Sequence, residues 1–422
     1  MSRLTADQLA GATFLSRTSV AMLADVPGLG KTAQVVRACD SLGVESAIVV
    51  VPNQTLAVNF AAEFEKWSVL GHRLHIVRSS KDDVPAAGVV FVTYSLLSRP
   101  EVLRKLRKRG AEVLICDEAH ALKSAEAQRT RAIMQKKGLF GVVPRVWLLT
   151  GTPAPNHAGE LYVFAKCCGA WTGSYSQFAE RFCILDESAW GISVIGSKNH
   201  DELKTLLSPH LLRRTNVEGR SPLTIDRVFV EAAKGGDPYA ALQDEHREAI
   251  ERALETGDWT FAELPAIATV RRLVGLAKAD GVAALAASEL EAGYRKLLIF
   301  CQHTAVIDRI SALLDGAPIY DGRTPPKVRE RLYEEFQQDG GSRVLVAQIT
   351  AASEGLTLTK ANRVLLAEPS WTPHNNTQAI ARAWRKGQQS PVLASFVSLK
   401  SSIDERITAA LQRKTSDIER LI

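Results

Sequence analysis

With 422 residues, 46% of them apolar, the chain exceeds one typical core and carries enough hydrophobic side chains to fill two. Its 52 basic against 46 acidic residues, a formal charge of +6, lean toward a polyanionic partner but also suit an ordinary surface. The six cysteines (Cys39, Cys116, Cys167, Cys168, Cys183, Cys301) form no CxxC pair and no His/Cys ligand spacing, which argues against a disulfide framework or structural zinc; the N-terminus lacks a secretory pattern and no apolar run approaches spanning length, so a soluble intracellular protein is expected.

The first element is a helix opened by LTADQ (4–8), where Thr5 and Gln8 have capping-box spacing. A glutamine fixed there is also well placed to read the N6/N7 edge of adenine, and both roles are compatible. AMLADVPGLGKT (21–32) then reads as a buried strand running into a phosphate loop. Across Asp25–Thr32, Gly28 and Gly30 let the backbone N–H groups, that of Leu29 included, close around phosphates. Lys31 is spaced to reach the β- and γ-phosphates, and Thr32 offers a hydroxyl to Mg²⁺. Asp25 replaces the first glycine of the strict GxxxxGK[ST] pattern and is expected, with the rest of the loop, among the ATP-contacting residues.

Further strands are expected at ESAIVVV (45–51), GVVFVTY (88–94), EVLIC (112–116) and RVWLLT (145–150). The basic run RKLRKR (104–109) reads as a solvated helix end in preference to a DNA patch. In EVLICDEAHAL (112–122), Asp117 is suited to hold a metal through water and Glu118 to orient and deprotonate an attacking water. LTGTP (149–153) offers the Thr150 and Thr152 hydroxyls to those carboxylates; alone it reads first as a turn set by Gly151 and Pro153.

Residues 158–215 show aromatics and short helical signals, SPLTID (221–226) reads as a linker, and 237–292 carry Ala, Glu and Leu at helical spacing. A second strand series follows at RKLLIFC (295–301), RVLVAQI (343–349), RVLLAE (363–368) and LASFVSL (393–399). Near-continuous Val/Ile/Leu runs indicate strands buried on both faces. The expected fold class is therefore α/β, two doubly wound parallel-sheet lobes with a small helical insertion. In QAIARAWRKGQ (378–388), Arg382 and Arg385 lie three apart and are expected on one helix face. Presented across a cleft, they would act as arginine fingers; an isolated pair of this kind is more often a solvated basic face. Trp371 and Trp384 are expected to pack in a core or at a lobe interface in preference to stacking on bases, and His303 and His374 have no ligand partner in sequence.

Together these segments resemble superfamily-2 nucleic-acid motors, specifically the Swi/Snf-like ATPases. The resemblance rests on DVPGLGKT (25–32), VVPNQTL (50–56), VTYSLL (92–97), CDEAHALK (116–123), LLTGTPAPN (148–156), AASEGLTLTKANRV (351–364) and the full QAxxRxxRxGQ form at 378–388. FAERFCILDESAWG (178–191) with ELKTLLSPHLLRRT (202–215) is most similar to the compact annealing-helicase subgroup. Val26 stands where that family usually has Glu.

The resemblance implies RecA-like lobes at 1–157 and 293–422, a helical extension and linker at 158–222, and a helical entry to lobe two at 223–292. It implies ATP and Mg²⁺ as cofactors, Gly355 as a further ATP-binding position and Gln378 as a coupling position. It further implies translocation on double-stranded or forked DNA by a monomeric motor, in a bacterial or phage-infected cytoplasm. Asn53, Gln54, Thr55, Thr93, His303, Thr350 and Ser353 are the implied DNA-contacting or coupling residues. A strand-separating DNA or RNA helicase, and a silent nucleic-acid-binding module, are the competing readings.

Overall fold

The computed structural model describes residues 4–188, 191–215, 221–232, 264–351, 357–385, 387–402, 404–409 and 411. In chain order the elements are α1 (Ala6–Arg17), β1 (Val20–Leu23), α2 (Lys31–Leu42), β2 (Ser46–Val51), α3 (Gln54–Trp67), β3 (Leu74–Ile76), β4 (Gly88–Thr93), α4 (Tyr94–Leu97), α5 (Pro100–Arg109) and β5 (Val113–Asp117). After them come α6 (Gln128–Met134), β6 (Arg145–Leu149), α7 (Tyr162–Cys167), α8 (Tyr175–Phe182), β7 (Cys183–Ser188), β8 (Gly191–Ser197), α9 (His200–Leu207), β9 (Leu211–Leu212) and β10 (Leu223–Val230). The remainder is α10 (Leu264–Glu291), β11 (Leu297–Cys301), α11 (Thr304–Leu313), β12 (Ile319–Tyr320), α12 (Pro326–Gln337), β13 (Val344–Gln348), β14 (Arg363–Leu366), α13 (Pro373–Ala383) and β15 (Val392–Leu399).

Two compact units result, the first mainly from residues 1–185 and 196–217, the second mainly from 186–195 and 218–419. The first holds a parallel sheet of order β3-β4-β2-β5-β6-β1-β9. Its strands are apolar almost throughout because helices cover both faces: successive residues Ile48, Val49, Val50 and Val51 are all 0% exposed. On one face Leu15 of α1, Val35 and Val36 of α2, and Phe60 and Phe64 of α3 pack over Val49, Phe91, Ile115 and Trp147. Each such side chain contributes about 1.5–3 kcal/mol on burial.

The second unit holds a parallel sheet of order β10-β15-β14-β11-β13-β12. One face packs on α10 and α11 through Val282, Val306 and Ile310. The other packs on α12 and α13 through Phe336, Ala379 and Ile380. Both lobes are thus the expected doubly wound parallel α/β architecture.

Two expectations need correction. The stretch 158–222 is not wholly helical, since β7 and β8 form a two-stranded sheet of their own and β9 pairs with β1 at the edge of the first sheet. Nor are residues 221–226 a linker or 223–292 an all-helical entry, because β10 pairs along its whole length with β15. The alternating β-branched and aromatic residues of LTIDRVFV suit a half-exposed edge strand, and Ile225 and Phe229 are exposed as that position requires. The helical reading holds for 264–291; residues 237–263 lie outside the described ones. Among the described residues no helix is long and apolar enough to cross a membrane.

Candidate nucleotide site

The loop after β1 is shaped by two left-handed glycines, Gly28 (φ 100°) and Gly30 (φ 73°). A side chain on Gly30 would be strained by its φ, and its Cβ would meet Gln8 Nε2 at 2.4 Å. Gln8 also completes the capping box of α1, accepting from Thr5 N at 3.0 Å, so its amide is fixed beside the loop. Lys31 opens α2, and its Nζ donates to the Asp25 carbonyl at 2.7 Å.

The Asp25 carboxylate is turned to a different task from the expected nucleotide contact. Fully buried, it accepts from Arg214 through the backbone N at 3.0 Å, Nε at 3.0 Å and a terminal guanidinium nitrogen, and from Gln34 Nε2 at 3.1 Å. Arg214, given no role of its own by the sequence beyond its place in the 202–215 stretch, therefore anchors the loop from 189 residues away. Its place directly after β9, the strand beside β1, is what brings it there.

Asp117 ends β5, in register with Leu149 of β6, which in turn pairs with Leu23 of β1. This aligns the acidic strand end with the start of the phosphate loop. Burial, then the neighbouring Glu118 charge, push the Asp117 carboxyl up to about 7, and the Lys31 ammonium pulls the other way. Tyr94 Oη donates to the Asp117 carbonyl at 2.7 Å. Glu118 is in the left-handed region (φ 50°), a strained setting for a non-glycine residue.

His120 connects this acidic end to the next loop. Its Nδ1 lies 3.3 Å from Glu118 Oε2 and 3.5 Å from Thr150 Oγ1. The Thr150 hydroxyl accepts from Thr152 N at 3.1 Å and donates to Thr152 O at 3.2 Å. LTGTP is thus the favoured turn, and its hydroxyl meets the acidic segment through His120. At Gly151 a Cβ would come 3.1 Å from Pro27 Cδ, so this turn rests directly on the phosphate loop.

These residues fit a magnesium–nucleoside triphosphate. A loop that excludes a Cβ at Gly30 leads into a helix N-terminus, which favours phosphate. Asp117 and Glu118 are adjacent, half-buried carboxylates whose desolvation and mutual repulsion resist ionisation of Asp117, a donor set that a divalent cation would relieve. Thr32 sits in the first turn of α2.

In the second unit, α13 carries Gln378 and Arg382, both buried, while the Arg382 carbonyl accepts from Leu358 N at 2.8 Å. Arg385 does not share that helix, because α13 ends at Ala383 and Trp384 leaves helical geometry (ψ 79°). The Arg385 guanidinium donates to Thr357 Oγ1 at 3.0 Å. Trp384 packs against the core as expected, its Nε1 donating to Ser221 O at 2.7 Å. The Trp371 ring lies 4.7 Å from the Arg271 guanidinium. Ser353 and Gly355 lie outside the described residues.

The implied DNA positions are spread over strand ends. Asn53 caps α3 by accepting from Leu56 N at 2.9 Å, and Thr93 caps α4 by accepting from Leu96 N at 3.2 Å. Gln54 Nε2 donates to Val77 O at 3.0 Å, whereas Thr55 and Thr350 are exposed. His303 Nδ1 pairs with Glu368 Oε1 at 2.7 Å. In the run 104–109, Lys105 donates to Asp82 O at 2.8 Å, Arg107 to Gly138 O at 2.8 Å and Arg109 to Pro85 O at 2.6 Å. Three of its cations are thus tied to the protein's own carbonyls.

A phosphate loop beside an acidic strand end, on one of two parallel-sheet α/β lobes, defines a helicase-like P-loop ATPase. Residues 8–223 match the SNF2-related domain and residues 281–387 the helicase conserved C-terminal domain. The chain belongs to the SNF2-related family. It is 30% identical, over 98% of its length and 44% of the relative's, to the Xenopus tropicalis SWI/SNF-related matrix-associated actin-dependent regulator of chromatin subfamily A-like protein 1. To the Bos taurus DNA annealing helicase and endonuclease ZRANB3 it is 28% identical, over 98% of this chain and 40% of that one. It therefore spans less than half the length of either relative. The Sulfolobus solfataricus SWI2/SNF2 ATPase core in complex with dsDNA is similar at 22% identity and a TM-score of 0.46, covering 100% of this chain and 93% of that one.

Proposed function

We propose that the chain is an ATP-dependent translocase or remodeller of double-stranded or forked DNA. The observation that carries the reading is the register that sets Asp117, at the end of β5, level with Leu149 of β6 and Leu23 of β1, so that the acidic strand end adjoins the phosphate loop bearing Lys31. A DNA substrate is supported by the family and by the relative named as a DNA annealing helicase.

Thr32 and Asp117 would hold Mg²⁺, which when bound supplies charge neutralisation at the phosphates. Gly28, Leu29 and Gly30 would present backbone N–H groups to the phosphates, with Lys31 reaching the outer ones. Gln8, its amide fixed beside the loop, would read the base edge. Glu118 would orient the attacking water and take its proton at the carboxylate, one oxygen of which lies 3.3 Å from His120 Nδ1. Thr150 and Thr152, on the turn bearing Gly151, carry the state of that carboxylate to the next loop, and Gln378 serves as a coupling position in the second unit. Arg382 and Arg385 are assigned from their sequence context as the cations that stabilise transition-state charge.

ATP turnover measured alone and with single-stranded, duplex and forked DNA tests the reading. Stimulation by duplex or forked DNA is expected. A rate indifferent to all three nucleic acids would sink it.

A further inference from the structure

The basic run that sequence makes conspicuous, 104–109, is largely committed to internal carbonyls. A different set of cations, scattered along the chain, converges in the second unit. Arg295 and Lys296 immediately precede β11, Arg343 precedes β13, and Lys360 lies just before β14. Since these strands are parallel neighbours, their starts share one edge of the sheet. The four side chains line a cavity of about 1100 Å³ whose one acidic lining residue, among the described residues, is Asp339. His303 and Thr350, the positions implied for DNA, follow β11 and β13 and belong to the opposite edge.

The cations differ in how firmly they are held. Lys296 is buried, donates to Ser342 O at 2.9 Å and lies 4.9 Å from the centre of the Phe336 ring. Arg343 donates to Leu290 O at 2.9 Å and Tyr294 O at 3.0 Å, which fixes its guanidinium across the end of α10. Arg295 is exposed, and among the described residues no hydrogen bond or ion pair ties its guanidinium. Lys360 reaches Asp339 at 2.8 Å, an exposed pair that solvent screens heavily. Two anchored and two accessible cations around one concavity suit an extended ligand carrying several anionic groups.

We propose that this cavity is a second phosphodiester-binding site, taking the backbone of a nucleic-acid segment at the strand-start edge of the second sheet. The proposal rests on the DNA-motor reading for its choice of polyanion. Phosphate binding of this kind is sequence-blind and releases counterions, so the site adds affinity and salt dependence without base preference. A motor with such a site holds a second arm or strand while its main track moves.

The test uses the full chain, a fluorescent blunt duplex, and the variant Arg295→Gln/Lys360→Gln, which spares Lys296 and Arg343. Binding anisotropy across a salt series should show the log–log slope falling by about 0.9 for each phosphate left unneutralised, roughly 1.8 for the pair. Turnover without DNA should be unchanged. The charge-reversed pair Arg295→Glu/Lys360→Glu should weaken binding further, with a matching thermal melt showing that it is folded. Wild-type affinity and slope in both variants would overturn the site. Polyglutamate that binds the wild type but neither variant, with duplex binding equal in all three, would assign the cavity to an acidic polypeptide and equally overturn it. Duplex-stimulated turnover with unaltered slopes removes this inference but leaves the motor, whereas a reduced slope without stimulation does the reverse.

Discussion

Lys123 Nζ lies 2.7 Å from Glu160 Oε1, joining the segment that follows Asp117–Glu118 to the one that follows the LTGTP turn. The Glu160 carboxylate is buried and also accepts from Asn156 N at 2.8 Å and Asn156 Nδ2 at 2.6 Å. Both loops around the acidic strand end are therefore pinned at their far sides as well as through His120. Glu160→Gln should destabilise the protein by about 1–3 kcal/mol at pH 7, measured by urea unfolding.

The same pair sets a pH dependence. Burial opposes ionisation of Glu160, but Lys123, His157 and the Asn156 hydrogen bond together hold its carboxyl below the ordinary value of 4.5. A depressed folded pKa contributes stability that is present above the unfolded pKa and disappears as pH falls through the folded one. The stability gap between wild type and Glu160→Gln should accordingly close below about pH 4.5. A gap that stays constant into acid would show that the ion pair is not its source.

Arg214 is predicted to control the phosphate loop from outside it. Its two-pronged hold on Asp25 depends on a planar guanidinium, so Arg214→Lys should not substitute. Loss of a buried pair of this kind costs about 3 kcal/mol or more. The thermal unfolding temperature should fall accordingly, and nucleotide titration should show weaker binding. Undiminished ATP affinity in a destabilised variant would separate the clamp from the loop's function.

Gly30 and Gln8 make a linked prediction. Gly30→Ala forces a side chain into a left-handed backbone worth about 1–2 kcal/mol of strain and against the Gln8 amide. Nucleotide affinity should drop at least ~10-fold, a loss of about 1.4 kcal/mol. Gln8→Ala alone should leave triphosphate binding largely intact while narrowing discrimination between ATP and GTP. Retained preference for ATP would mean that the base is read elsewhere.

Arg382→Ala or Arg385→Ala should reduce turnover on the order of 10³-fold with nucleotide binding kept. Single-turnover kinetics beside equilibrium binding checks both halves. Wild-type turnover in either variant removes that residue from the mechanism.

Much of this is legible in the sequence because buried parallel strands announce themselves as unbroken apolar runs, as ESAIVVV and RKLLIFC do. The phosphate loop is legible because its glycines and Lys31 are contiguous. What stays hidden depends on long-range pairing. Arg214 reaches Asp25 only because β9 docks beside β1, and the cations at 295, 343 and 360 meet only through strand register. Arg382 and Arg385 mislead on their shared face because three-residue spacing assumes a helix that in fact stops at Ala383. LTIDRVFV reads as linker and helix since a half-exposed edge strand lacks the continuous apolar signal of its neighbours.

That edge strand bears on where the polypeptide can be cut. An excised C-terminal fragment starting near 281, where the matched helicase domain begins, would lack β10 and leave the backbone of β15 bare along eight residues. Such an unsatisfied strand rim is a template for intermolecular pairing, so the fragment should aggregate. A fragment begun ahead of Leu223 would keep that rim capped.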